Sequence, residues 1–355
     1  MTTIAATRAP FGILYEHPDW FRPLFAELER RGIPVKRLNA AEHWYDPSSP
    51  RPPYGLVFNR MSPSAYLREA GHAVFLTQAY LAHLESHGIR VVNGSRAFAV
   101  ETSKALQLSI LRQLGLPHPR SRVISRGTDA PAAARGLRYP VVVKPNIGGS
   151  GAGIIRFDAF GELVAAVERD LIPQSIDGIL LLQEFHPPRD QSIVRVETLE
   201  GRYLYGIRVH IEEGAGYDLC PADICRDVKG RTLESAACPA GAAKAGLRVE
   251  GYEPPAEIRA EVERIAAVSH LDVGGIEYLV SARDGRRYYY DINALSNFVA
   301  DPVRVVGFDP TARLVDRLVA RASGAAPGSR AHGGEQDGRA HRGRPALRAL
   351  AGRRP

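Results

Sequence analysis

The segment Val141–Gly153, VVVKPNIGGSGAG, constrains the fold more than any other part of this chain. An apolar, β-branched run delivers Lys144, and glycines at Gly148, Gly149, Gly151 and Gly153 follow with Ser150 among them. GIIRF then restores a strand pattern, so the unit reads as strand, glycine loop, strand. Glycines let backbone N–H groups turn toward a polyanion, and the serine adds a hydroxyl. The lysine precedes the glycines and no helix follows, which excludes a P-loop; G-x-G-x-x-G is not matched and both flanks are strands, which excludes the dinucleotide fingerprint. Two readings stay open here: a phosphate cradle, or a glycine-rich hairpin with an incidental lysine.

Upstream, strands alternate with helices. FGILYE, PVKRLN and YGLVFNR read as strands. Asp19 to Arg31 reads as a helix with Phe21, Leu24, Phe25 and Leu28 on one face and Gly32 at its end, and a second helix spans 72–87. This pattern predicts an open, mostly parallel sheet over the first 95 residues. Downstream, a helix is expected from Thr102 to Leu114, capped by Thr102 or Ser103 and stopped by Gly115. Further expectations are a helix at 160–171, the buried strand ILLLQEF, an antiparallel pair joined at Glu200–Gly201, a helix from Pro255 to His270, a hairpin turning at Asp284–Gly285, and a closing helix near 310–321. The stretch 214–250 gives no clear pattern.

With 45% hydrophobic and 24% charged residues the chain is neither disordered as a whole nor fibrous. No apolar run approaches the ~18–20 residues of a membrane helix, and the first residues lack a secretory pattern. Three cysteines set no disulfide framework, so a cytoplasmic protein with free thiols is expected. The net charge of +7 is mostly a property of the tail from Ser323, where seven arginines face one Glu and one Asp. The tail has seven Gly and three Pro and reads as a disordered basic appendage, 323–355. A nucleic-acid partner is therefore not expected, and homo-oligomerisation stays open. Only five of the 46 basic residues are lysines, so a retained lysine can mark a need for a compact ammonium.

Three more constellations carry chemistry. Asp291 and Asn293 are two apart on a strand and share a face, and Glu277 lies on the preceding strand of the same hairpin. Two carboxylates and an amide oxygen suit a hard cation such as Mg2+; the alternative is a solvated polar face. A two-residue turn at Asp284–Gly285 would point Glu277 away from the other two, whereas an odd loop or one bulge puts all three together, and the odd loop is the expectation. Gln183, Glu184 and Phe185 end an apolar strand and could offer main-chain groups to a purine edge. Arg195 and Arg208 lie on the antiparallel pair, as clamps for planar anions or as surface residues.

The order of these pieces resembles the ATP-grasp superfamily, and most closely its alpha-L-glutamate ligase (RimK-like) branch, from Ser95 to Leu318. The resemblance implies an α/β protein: an N-terminal domain at 1–95, a middle lobe with the phosphate loop at 96–185, and a C-terminal lobe with the metal site at 186–322. It implies ATP with Mg2+, or Mn2+, as cofactors. Lys104 and Lys144 match the nucleotide lysines, Gly148–Gly153 the phosphate lid, Glu184 and Phe185 the adenine hinge, and Asp190 the ribose acid. Glu277, Asp291 and Asn293 match the metal ligands, and Arg208, with Arg195, an arginine at the transferring phosphate. The implied activity is an ATP-dependent carboxylate–amine ligase acting through an acyl phosphate on small-molecule or peptide substrates. A kinase, a carboxylate–thiol ligase and a non-catalytic nucleotide-binding regulator are the alternatives. Asp218 stands where the family has asparagine, and ALSNF follows the third ligand where many members have glycine; Cys220 and Cys225 nearby have no zinc spacing.

Overall fold

The computed structural model describes residues 9–17, 19–149, 151–211 and 248–324. Ser150, Asp218, Cys220, Cys225 and the tail beyond Gly324 lie outside these, so their sequence readings are not addressed by it.

The first unit comprises β1 (Phe11–Tyr15), α1 (Arg22–Arg30), β2 (Val35–Asn39), β3 (Leu56–Arg60), α2 (Gly71–Ser86) and β4 (Val91–Val92). Its four strands form a parallel sheet in the order β2-β1-β3-β4. β1 and β3 are buried along their whole length, because α1 covers one face and α2 the other, as continuous apolar strands in a parallel sheet require.

Next come α3 (Ser95–Glu101) and α4 (Lys104–Gln113). Ser103 is the cap of α4, accepting the amide of Leu106 at 3.2 Å. The second sheet holds β5 (Ser121–Ile124), β6 (Val141–Pro145), β7 (Ile155–Phe157) and β8 (Leu180–Glu184), antiparallel in the order β5-β8-β6-β7. Helices α5 (Ala130–Ala133) and α6 (Phe160–Glu168) accompany it. Val141, Val143, Leu180 and Leu182 face a core with Ala130, Ala134 and Leu163. The strand period of two therefore turns Val142 and Lys144 to the opposite face.

The third sheet is antiparallel, in the order β11-β10-β9-β12-β13. Its strands are β9 (Ser192–Leu199), β10 (Arg202–His210), β11 (Val249–Gly251), β12 (Val273–Val280) and β13 (Arg287–Asn293). The β9–β10 turn is at Glu200–Gly201, both at positive φ (53° and 69°), as the right-handed twist of a tight hairpin demands. Helix α7 (Ala256–Val268) packs with α4 on one face. After α8 (Pro302–Val306), α9 (Pro310–Ala322) joins α1 over the other face.

The β12–β13 register departs from the expectation in its cause. Val280 pairs with Arg287 and Ser281 donates to the Arg286 carbonyl at 2.8 Å, so the connection is even and would misplace Glu277. A bulge between Glu277 and Tyr278, with Tyr290 as the extra residue on β13, shifts the register, and Glu277 then stands directly opposite Asp291. The bulge, not an odd loop, brings the carboxylates together.

Candidate active site

Lys144 is almost wholly buried, 6% exposed, on the face of β6 opposite Val141 and Val143. Lys104 arrives from the first turn of α4 and donates from Nζ to Oδ1 of Asp291 at 2.6 Å. Burial and the adjacent Lys104 push the Lys144 ammonium down to about 7, while Asp291 and Glu277 act the other way. Those mutual influences place both lysines and both carboxylates in one electrostatic neighbourhood. Burial works against the charges of Lys104 and Asp291, but their ion pair outweighs it: Lys104 is raised, and Asp291 is lowered with help from Lys144.

Glu277 faces a different cation. Its Oε1 accepts from Arg195 at 2.8 Å, and Arg195 Nε donates to Glu197 at 2.6 Å. A Cβ on Gly275 would lie 2.5 Å from that guanidinium, so glycine is what lets Arg195 cross β12. Burial raises Glu277, and Asp291 adds to the rise against the pull of Arg195. A buried carboxylate, Glu277, and a partly buried one, Asp291, stand in register with Asn293 on the same face; they form an all-oxygen donor set whose repulsion a divalent cation would relieve, so the residues fit Mg2+. The described residues hold no group of three or more His, Cys, Asp or Glu that could by itself bind a metal ion.

The glycine loop lies against the first unit. A Cβ on Gly149 would stand 2.8 Å from the Ser64 Cβ, and one on Gly148 3.7 Å from Lys104 Cε. Gly151 and Gly153 have φ of 69° and 70°, a conformation open to glycine.

The Gln183–Phe185 segment is present, but its side chains are engaged. Gln183 donates to Ser121 Oγ at 2.9 Å, and Glu184 accepts the amide of Arg138 at 2.8 Å. The amides of Glu184 and Phe185 serve Arg120 and Pro140 carbonyls, both at 2.9 Å.

Two expected residues are not brought to this cluster. Ile207 pairs with Arg195 and Arg208 with Val194, so Arg208 points to the opposite face, with α7. There its guanidinium lies 4.7 Å over the Tyr252 ring. Arg208 therefore stands apart from the lysine–carboxylate cluster. Asp190 is exposed on the turn before β9, 3.8 Å from Arg189, and lines a cavity with Arg208 rather than the lysine–carboxylate cleft. Arg195 does stand at the cluster, bonded to Glu277 and Glu197.

Sequence reading missed the residues that set this geometry. Asn146 accepts from the amide of Ala105 at 2.9 Å and donates to Asp177 at 2.6 Å, tying the glycine loop to α4. Gln107 brackets Ile292 with bonds to its carbonyl (2.9 Å) and from its amide (3.2 Å). Glu101, its carboxyl pushed up to about 7 by burial, accepts the amides of Ala294 and Leu295. Only Asn146 carried a signal, two residues after Lys144; the others are polar residues on helices whose partners are remote in sequence.

Strand–lysine–glycine loop, capped lysine helix and Glu–Asp–Asn hairpin thus converge between two antiparallel sheets, and solved structures share the fold. The ATP-grasp ligase PsnB complexed with a minimal precursor superposes with a TM-score of 0.60 at 21% identity, covering 88% of this chain and 99% of that one. The chain has the ATP-grasp fold. The RimK domain ATP-grasp protein from Sphaerobacter thermophilus matches with a TM-score of 0.58 at 18% identity, over 86% and 98% of the two chains. The D-cycloserine synthetase DcsG gives 0.60 at 18%, over 88% and 99%. In sequence, the D-alanine–D-alanine ligase of Stutzerimonas stutzeri is 29% identical over 181 residues, 47% of this chain and 56% of that protein. The carbamoyl phosphate synthase large chain of Rubrobacter xylanophilus is 33% identical over 134 residues, 37% and 12% respectively. The chain spans between about an eighth and just over half of the curated relatives it matches. No family model matches it.

Proposed function

We propose that this ATP-grasp chain is an ATP-dependent carboxylate–amine ligase, with the three-part division at 95, 185 and 322 as its domain plan. The observation that carries the reading is the placement of two lysines against two paired carboxylates across a glycine loop. Lys144 and Lys104 would hold the polyphosphate, and the loop from Gly148 to Gly153 would close over it. Glu277, Asp291 and Asn293 would hold Mg2+, which supplies charge neutralisation of the phosphates. A substrate carboxylate oxygen attacks the γ-phosphorus and the bond to the ADP oxygen breaks, giving an acyl phosphate. An amine nitrogen then attacks the acyl carbon, phosphate leaves, and the nitrogen loses its proton. The protein's contribution is positioning, electrostatics and exclusion of water. Lys144 suits that task because burial leaves it a weakly solvated charge that regains full protonation against phosphate oxygens.

The acid and amine are taken to be small molecules or peptides. PsnB was solved with a precursor peptide and DcsG is a D-cycloserine synthetase, so both classes belong in the test. No helix among the described residues is long and apolar enough to cross a membrane, and we place the activity in the cytoplasm. Measuring ADP release with Mg2+ over a pairwise panel of amino acids, small acids and carboxylate-bearing peptides tests the proposal. Release that requires both an acid and an amine supports it. Phosphate retained on a single substrate would mark a kinase, and a requirement for a thiol in place of the amine would mark a thiol ligase.

A further inference from the structure

A second cavity, about 380 Å3, lies at the hinge end of the C-terminal sheet and opens on the face opposite Glu277 and Asp291. Arg189, Arg208 and Arg287 line it against one acid, Asp190, with Tyr252 and Tyr278 among its apolar walls. Arg208 and Arg287 each carry a buried Nε with no hydrogen-bond partner among the described residues. The stacking of Arg208 on Tyr252 at 4.7 Å orients the guanidinium without satisfying its N–H groups. Arg287 gives Nη2 to Glu261 at 2.7 Å and Nη1 to Glu257 at 3.4 Å, which fixes the plane of its fork and leaves Nε over. Arg189 reaches across the β12–β13 turn, its Nη1 4.0 Å from where a Gly285 Cβ would stand. Buried N–H groups without acceptors are costly, and planar forks held in place match the paired oxygens of a phosphate or carboxylate.

We propose that this cavity is a second anion site, separate from the nucleotide cleft, for a phosphate or carboxylate group carried on a flat or apolar body. The tyrosines and the neighbouring Val194 and Ile258 supply the surface for that body, and the volume suits a small molecule or a side chain rather than a polymer. The site has a mechanical setting. Arg189 and Asp190 belong to the turn that leads out of Gln183–Phe185, where Asp190 and Gln191 both hold positive φ, 57° and 45°. Such conformations are strained for residues with side chains. An anion bridging Arg189 to Arg208 and Arg287 would tie that turn to β10 and β13, so its occupancy would bear on the connection between the two lobes.

Calorimetric titration of the full chain with phenyl phosphate, and separately with inorganic phosphate and benzoate, tests this. Removing Lys144 (Lys144→Ala) disables the nucleotide cleft as a competing phosphate site, so the cavity is read on its own. Binding should persist in Lys144→Ala and weaken by about tenfold or more in Arg208→Gln and in Arg189→Gln, which lose the planar fork. The ranking of the three probes then distinguishes a phosphate from a carboxylate and shows whether the ring matters. Arg189 is exposed, so Arg189→Gln carries the test should Arg208→Gln fail to fold by circular dichroism. Binding unchanged in both arginine variants, binding lost only in Lys144→Ala, or no binding of any probe at millimolar concentration overturns the proposal.

Discussion

Lys144 has to be a cation where burial and Lys104 drive it toward neutrality, and its ammonium sits at about 7. Phosphate oxygens would favour the charged form, so nucleotide binding should draw a proton onto this group. The sign follows: affinity for ADP is full below about pH 7 and falls as pH rises through that value, by up to about tenfold per unit until the bound-state pKa is reached. A fluorescent-nucleotide titration across neutral pH reads this directly, and a flat profile would show that Lys144 does not meet the phosphates. The other residue-scale lesson concerns Arg195 and Arg208. Both were legible as arginines on an antiparallel pair, yet their positions divide on the pairing of Ile207 with Arg195, which sends neighbouring Arg208 to the far face. Residue type is written in the sequence; the parity of a register is not, because it depends on partners elsewhere in the chain.

The β12–β13 hairpin shows the same limit in a whole element. Its candidate ligands, Glu277, Asp291 and Asn293, were legible as residue types, and the need for one extra residue to bring them to one face was readable from their numbers. That the extra residue is a bulge at Tyr290 was not, since a bulge is a backbone event with no compositional mark here. The adjoining glycines are tightly used. A Cβ on Gly274 would stand 2.6 Å from the Asn293 carbonyl oxygen and 2.8 Å from Leu271. Gly274→Ala should therefore push β13 aside, destabilising the protein by about 1–3 kcal/mol and lowering Mg2+-dependent turnover. Denaturant midpoints and a Mg2+ titration of the activity measure the two effects; an unchanged midpoint would mean that the hairpin yields without strain. Clamping of the next loop by Glu101 leads to a parallel expectation. Glu101→Ala leaves the Ala294 and Leu295 amides without their acceptor, at about 1–3 kcal/mol, and an equilibrium unfolding curve checks it.

Across the molecule, the sheets are joined by polar residues as well as by cores. Asn93, just after β4 with φ of 51°, bonds through its side chain to the carbonyls of Val273 (2.7 Å) and Ala294 (2.6 Å) and the amides of Asp272 (2.9 Å) and Val273 (3.1 Å). Arg60, buried between the rings of Phe21 and Phe58, donates to Ser296 and to Asn297. These contacts fix the first unit to the loop after Asn293. Asn93→Ala should cost at least about 3 kcal/mol, because several buried backbone groups lose their partner at once; thermal unfolding followed by calorimetry measures it. The strand and helix order of the three units was legible because hydrophobic periodicity is local. The joints were not, because Asn93 and Arg60 look like any loop or strand-end polar residue until their partners some 180 to 237 positions away are known. The proposed activity requires one triphosphate gripped by lysines on one side and by metal-bearing oxygens on the other. Its most direct test is Mg2+-dependent ADP binding by calorimetry in the wild type, Lys144→Ala and Asp291→Asn. Tight binding that needs Mg2+, and that is lost or greatly weakened in both variants while their circular dichroism stays unchanged, is the expected result. Equal affinity in all three proteins, or binding indifferent to Mg2+, would contradict it.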